Sequence, residues 1–256
     1  MPGRGWGWAA LGGLAGLLLA VVLFAPARWL AAAVTDASGG HVVLAAPRGT
    51  VWNGSAQLVL TGGAGSGDAA ALPDRLQWRL RPTWNGAAIR LQAACCTAQP
   101  LAMRLHLRWG GARLLVADGG SQWPAALLAG LGTPWNTLQP QGTLALRTQD
   151  LMVSVAQGRV ALAGRAELDA LAMSSRLSPL RPMGSYRLML IGGDATTLQL
   201  TTLDGALQLQ GSGRWIGSRL RFDGEAQAAP DREAALANLL NIIGRRTGAR
   251  SLITVG

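Results

Sequence analysis

Beyond Arg28, apolar and polar residues alternate with a period of two over much of the chain. Leu76-Gln-Trp-Arg-Leu-Arg81 alternates without a break. From Leu101 to Trp109, the residues Leu101, Met103, Leu105, Leu107 and Trp109 share one side. Ala102, Arg104, His106 and Arg108 share the other. That pattern describes strands with one buried and one wet face. It returns at Ile89–Gln92, Leu144–Arg147, Leu151–Val155, Val160–Leu168, Tyr186–Leu190, Leu198–Leu200, Leu207–Gln210 and Leu220–Phe222. Turn residues separate these runs, among them Gly110-Gly111, Asp118-Gly119-Gly120, Gly192-Gly193-Asp194, Asp204-Gly205 and Gly211-Ser-Gly213. Such short spacing predicts antiparallel meanders rather than βαβ units.

Two stretches break the period. Pro124 to Leu131 reads as a short helix with proline in its first turn and Gly132 at its end. Asp231 to Ile243 carries Asp231 and Glu233 near its start. Leu236, Leu239, Leu240 and Ile243 follow at three- and four-residue steps, and Gly244 is the expected stop. Arg245 and Arg246 then face the negative helix end. The tract from Thr61 to Leu72 is rich in small residues and predicts a loop.

The N-terminus has another character. No charge occurs between Arg4 and Arg28, and Ala9 to Ala25 is apolar throughout. Extended to Trp6, the run is about 20 residues, enough to cross a hydrocarbon core of about 30 Å. Leu17, Leu18, Leu19, Val21, Val22, Leu23 and Phe24 form its apolar body, with Trp6, Trp8 and Trp29 at the interfaces. Arg4 favours a cytoplasmic N-terminus. A cleavable signal peptide is the competing reading, because Ala25-Pro26-Ala27 gives a small-x-small pattern. Both readings export the remainder. The expected fold is therefore mainly β: antiparallel meander sheets, two short packing helices and one N-terminal transmembrane helix. Residues 1–30 are the cytoplasmic stub and anchor, and 40–256 a periplasmic β-rich domain. A faint internal echo suggests two similar halves, 41–148 and 149–256.

Composition sharpens this picture. Charged residues are only 14% of the 256, against roughly 25% on average, so much of the chain is buried or lies against membrane. All 23 basic residues are arginine, and the net charge of +10 favours anionic surfaces. The arginines are scattered through strands and no nucleic-acid motif occurs, so nucleic acid is not an expected partner. Cys95 and Cys96 are adjacent, a poor geometry for a disulfide, and predict two small buried or turn residues. His41 and His106 are the only histidines. His106 falls on a polar strand face and His41 near the start of the domain. No nucleophile elbow, phosphate loop or metal spacing occurs, so neither enzyme activity nor a cofactor or metal is expected.

Tryptophans stand beside turn residues: Trp52-Asn53-Gly54, Trp78 before Pro82, Trp84-Asn85-Gly86, and Trp135-Asn136. Trp52 and Trp78 read as core anchors. For Trp84, Trp123 and Trp135, core packing and an exposed partner- or lipid-facing patch stay open.

In order along the chain come Gly49-Thr-Val-Trp52-Asn-Gly54, Leu76 through Trp78 to Pro82, and Trp123-Pro124-Ala-Ala-Leu-Leu128. Gly132-Thr-Pro134 into Leu138-Gln-Pro-Gln-Gly142 follows, then Met183-Gly-Ser-Tyr186-Arg187, Gly205 to Gly211, Phe222-Asp-Gly224 and Leu239-Leu-Asn-Ile-Ile-Gly244. With the N-terminal apolar segment, this succession resembles the type II secretion system protein N family over essentially the whole length. The resemblance implies a bitopic inner-membrane accessory of the machine that exports folded periplasmic proteins. It implies contacts with other inner-membrane subunits and no catalytic residue. Membrane lipid is expected as a partner of the apolar segment, and a small-molecule ligand is not expected. A second reading from the residues is a lipid- or envelope-glycan-binding β-groove. A continuous uncovered apolar groove would favour it, and a closed core would favour protein contacts.

Overall fold

The computed structural model describes residues 5–157, 159–217, 219–248 and 250–256. Two helices lead: α1 (Gly5–Leu23) and α2 (Ala27–Ala37). Seven strands follow: β1 (Val42–Gly49), β2 (Asn53–Thr61), β3 (Ala69–Thr83), β4 (Gly86–Gln92), β5 (Leu101–Arg108), β6 (Gly111–Val116) and β7 (Gly119–Pro124). A 3₁₀ turn (Ala125–Leu131) and α3 (Trp135–Leu138) then precede β8 (Gln141–Ala156), β9 (Arg159–Ser174), β10 (Gly184–Ile191), β11 (Thr197–Gly205), β12 (Leu207–Ile216) and β13 (Arg219–Ala228). The chain ends with α4 (Glu233–Ile243), β14 (Arg245–Thr247) and β15 (Arg250–Val255).

All strands join one antiparallel sheet, in the order β1-β2-β3-β4-β5-β6-β8-β9-β10-β11-β12-β13-β15-β14, with β7 paired to the first half of β8. Apolar residues meet across the ladder and so share a face. Ile89 lies opposite Met103, Leu105 opposite Leu114, Leu114 opposite Val153, and Val153 opposite Leu162. The meander thus follows from the period-two pattern. The runs 144–147 and 151–155 are one strand rather than two. Inside β8 the register slips between Gln149 and Met152, with Asp150 at φ 48. Gly164 on β9 stands opposite this bulge at φ 82, where a Cβ would strike the Asp150 carbonyl. The bulge bends the central hairpin without breaking it.

Two clusters fill the buried interior. The first joins Ala27 and Ala31 of α2 to Leu44, Ala56, Leu72, Leu76, Trp78 and Leu127. The second packs Leu236, Leu239 and Leu240 of α4 on Tyr186, Leu207, Ala226 and Ala228. Buried Ser251 on β15 donates its hydroxyl to the Leu240 carbonyl, satisfying an orphan acceptor at the end of α4.

Several expectations change. Residues 27–30 are expected as the end of the anchor and 31–37 as no element, yet a separate helix, α2, covers 27–37 and packs on β1 and β2 through alanines. The segment at 125–131 is a 3₁₀ turn with Pro124 as its N-cap. Thr61 to Leu72 is a loop only in its middle; Ala69 begins β3 and Leu72 is fully buried. Gly244 does follow the last residue of α4, as expected, and its backbone there is extended at φ −171. A Cβ there would collide with the Leu252 carbonyl, and the glycine lets the chain run from helix directly into β14. Trp109 sits in the β5–β6 turn rather than on the strand's apolar side.

Among the described residues no helix is long and apolar enough to cross a membrane. Arg4 and Gly158 lie outside the described residues, as do the side chains of Trp6, Trp8 and Leu18.

The second core contains one anomaly. The Tyr186 side chain is buried, its hydroxyl has no hydrogen-bond partner among the described residues, and burial pushes its phenol far above the ordinary range. Tyr186→Phe is expected to leave stability unchanged or raise it by up to about 1 kcal/mol, since an unsatisfied buried hydroxyl is removed. Trp78→Ala should cost about 3–5 kcal/mol. Denaturant unfolding of the full chain in detergent, followed by far-UV circular dichroism, compares the two.

Candidate interaction surfaces

The two histidines do not converge. His41 bonds the Thr61 carbonyl through Nδ1 at 3.1 Å, beside the loop that joins β2 to β3. His106 faces Asn85 at 3.4 Å, at the opposite edge of the sheet. Among the described residues no three His, Cys, Asp or Glu side chains stand close enough to hold a metal.

The strongest electrostatic feature is an ion ladder across β8, β9 and β10. Arg187 bonds Asp169 through two nitrogens, at 2.7 and 2.8 Å, and reaches Glu167 at 3.2 Å. Arg147 reaches Glu167 at 3.1 Å and Asp169 at 3.5 Å. Cross-strand register makes this arrangement, because Arg147 lies opposite Glu167 and Asp169 opposite Arg187. Asp169 is only 5% exposed. The Arg187 hydrogen bond, opposed by burial and aided by both guanidinium charges, holds its carboxyl below the usual range. A shallow depression beside the ladder is lined by Asp118, Arg147, Arg165 and Glu167. Its mixed charge suits strand-to-strand cohesion better than capture of an ion.

Cys95 and Cys96 form a disulfide with 3.7 Å between their Cα atoms, which overturns the expectation of two unbonded residues. The reason is local. Thr97 bonds Ala93 through both its amide and its hydroxyl, and Cys96 N–H also donates to the Ala93 carbonyl. This tight turn places the two thiols side by side at the connection from β4 to β5.

The motif Gly49 to Gly54 is the β1–β2 turn, and it is a socket. Gly49 has φ 86. Trp78, 3% exposed, lies across Gly54, where a Cβ would come within 2.5 Å of its ring. Its indole N–H points to the carbonyls of Thr50 and Val51, at 3.2 and 3.0 Å. Trp52, expected in the core, is only half-buried, and its indole donates to the Val22 carbonyl of α1 at 2.7 Å. Val51 N–H bonds Ala25 at 2.8 Å, and Pro26 bridges Thr50. The first helix is thereby fastened to the sheet.

The remaining motif residues are dispersed. Pro82 is exposed near the tip of β3, while Pro124 and Gly132 (φ 80) bracket the 3₁₀ turn. Trp123 is half-buried against the first core, and its indole donates to Ser121. Trp29 and Trp135 are exposed, whereas Trp84 and Trp109 are wholly so, at 104% and 106%. Leu17, Leu19, Val21, Val22, Leu23 and Phe24 expose apolar side chains around α1.

No helix packs closely on β4, β5 or β6, although Leu91 of β4 reaches the first core. α2 and the 3₁₀ turn pack on β1, β2, β3 and β8, and α4 on β13, β14 and β15. Strands β4, β5 and β6 contain no buried residue, although Leu101, Met103, Leu105, Leu114 and Val116 point to the same side as Trp78.

A long antiparallel sheet with helices packed near its two ends, joined to an apolar helix, defines the class of fold. The chain belongs to the type II secretion system protein N family, whose model matches residues 40–253. No curated protein and no solved structure matches it.

The ion ladder makes a prediction about acid. A carboxylate with a depressed folded pKa stabilises the fold above its unfolded value of about 3.9, and that contribution disappears as pH falls through the lower folded value. Asp169→Asn is expected to cost about 1–2 kcal/mol at pH 7. Denaturant titrations repeated down the acid range should show the difference from wild type vanishing at low pH.

Proposed function

We propose that the chain is a non-catalytic inner-membrane component of a type II secretion system. In this reading α1 is the anchor, with its N-terminus cytoplasmic, and residues 40–256 form the periplasmic sheet that supports export of folded proteins. Family membership carries the secretion role. The anchor is supported by chemistry: α1 has 19 uncharged residues and exposes leucine and valine at its described positions, with Phe24 exposed just past its end. A helix apolar all round has no stripe to lay on a protein core and suits hydrocarbon. The disulfide at Cys95–Cys96 fits an oxidising compartment. Chemical cross-linking in native membranes, followed by capture of the tagged full chain, should recover inner-membrane subunits of the secretion system. Recovery of none, together with unchanged secretion on deletion, overturns the proposal.

The half-buried apolar face of β4, β5 and β6, on which no helix packs closely, favours a second reading, a groove for a lipid or an envelope glycan. If it is right, solvent extraction of the purified chain and mass spectrometry will find a bound lipid or glycan near one per chain. Leu114→Arg will deplete it. Extracts without such a molecule rule the groove out.

A further inference from the structure

We infer that the edge of the sheet nearest α1 is itself a membrane-contact surface, with the β1–β2, β3–β4 and β5–β6 turns resting in the interfacial layer of an anionic bilayer. This rests on the reading of α1 as an anchor and goes beyond it, because one helix could equally carry a domain standing clear of the lipid.

Antiparallel order decides which turns share an edge. The turns β1–β2, β3–β4 and β5–β6 come out on one side, and the β2–β3 and β4–β5 connections on the other. α1 meets the first of these edges, through the bonds from Trp52 to Val22 and from Val51 to Ala25. At about 4.8 Å per strand, the β3–β4 turn lies about 10 Å from that junction and the β5–β6 turn about 20 Å.

The tips of those two turns carry Trp84 and Trp109, both completely exposed, with Leu107 exposed beside the second. A large indole standing free at a hairpin tip contributes nothing to either core. Tryptophan is, however, the side chain most at home between headgroups and acyl chains. Arg48, Arg81 and Arg108 are exposed on the strands that end at this edge and complement anionic headgroups. The opposite-edge connections carry Asp68 and Asp118 instead, and the acidic turn residue on the α1 edge, Asp194, lies far along the sheet between β10 and β11. Twist between strands accumulates along the sheet, so contact is confined to the turns near α1 and excludes Ile216, exposed on β12 far along the sheet.

The test uses the full chain reconstituted in vesicles of phosphatidylethanolamine and phosphatidylglycerol. In single variants, photoreactive benzoylphenylalanine replaces Leu19, Trp84, Trp109 or Ala98, the last exposed at the opposite edge. Circular dichroism verifies folding, and lipid adducts are counted by mass spectrometry after illumination. Positions 84 and 109 should label at least about tenfold more than 98, with labelling reduced in phosphatidylcholine vesicles. Labelling at 19 with 84 and 109 no higher than 98 overturns the contact surface while the anchor stands. An unlabelled position 19 overturns the anchor and this inference together. Adducts at 84 and 109 to protein alone, in native membranes, overturn it in favour of a protein partner.

Discussion

The orientation of the whole sheet depends on how the end of α1 is satisfied. A helix ends with carbonyls that have no partner inside it, and in hydrocarbon or at its boundary these are costly to leave bare. Here the Trp52 indole takes the Val22 carbonyl, and the Val51 amide takes that of Ala25 just beyond the helix. Both donors come from one turn. Trp78 holds that turn from behind by donating to its carbonyls and lying over Gly54. The glycine, the two tryptophans and the helix end are therefore one interlocked unit, and a change at Gly54 would be felt at the mouth of the helix.

From that junction the sheet extends through strands β4, β5 and β6 largely by strand pairing, since the helices pack mainly on strands to either side. The long β8–β9 hairpin connects them. Its bulge at Asp150 bends the sheet, and the Arg147–Glu167–Asp169–Arg187 ladder fastens β8, β9 and β10 on the side away from the second core. A partly buried, bidentate pair is worth more here than on an open surface, since solvent screens it less.

The strands were legible because their alternation is regular, and α4 was legible because large leucines recur at helical steps. Other elements carried weaker signals. In α2 the inward residues are Ala27 and Ala31, whose small side chains give little contrast with the outward ones, so the packing decides the helix rather than the pattern. Leu72 stands beside an alanine run that resembles a linker, and only its pairing into β3 reveals it as core. The disulfide depends on a turn closed by Thr97, a three-dimensional cause that spacing does not display. Trp52 and Trp84 sit in similar Trp-Asn-Gly sequences, yet one bonds a helix carbonyl and the other projects into solvent. Only the position of α1 separates them.

The edges and the face of this sheet are treated differently, and the difference bears on function. The outer strand β1 carries a bulge between Ala45 and Arg48, with Pro47 inside it, both of which discourage pairing by another chain. At the far end β14 is three residues long and exposes Arg245 and Arg246. Edge pairing, the usual hazard of a long open sheet, is thus blocked at both ends. The apolar side of β4, β5 and β6 has no comparable protection, neither a covering helix nor inward-pointing charge in the rows that include Ile89, Met103 and Leu114. A sequence that guards against strand addition but leaves this face apolar is suited to a ligand or partner that packs on side chains rather than on backbone. That distinguishes the face from the tryptophan-tipped edge, where aromatic rings and arginines meet a surface by its charge and polarity gradient.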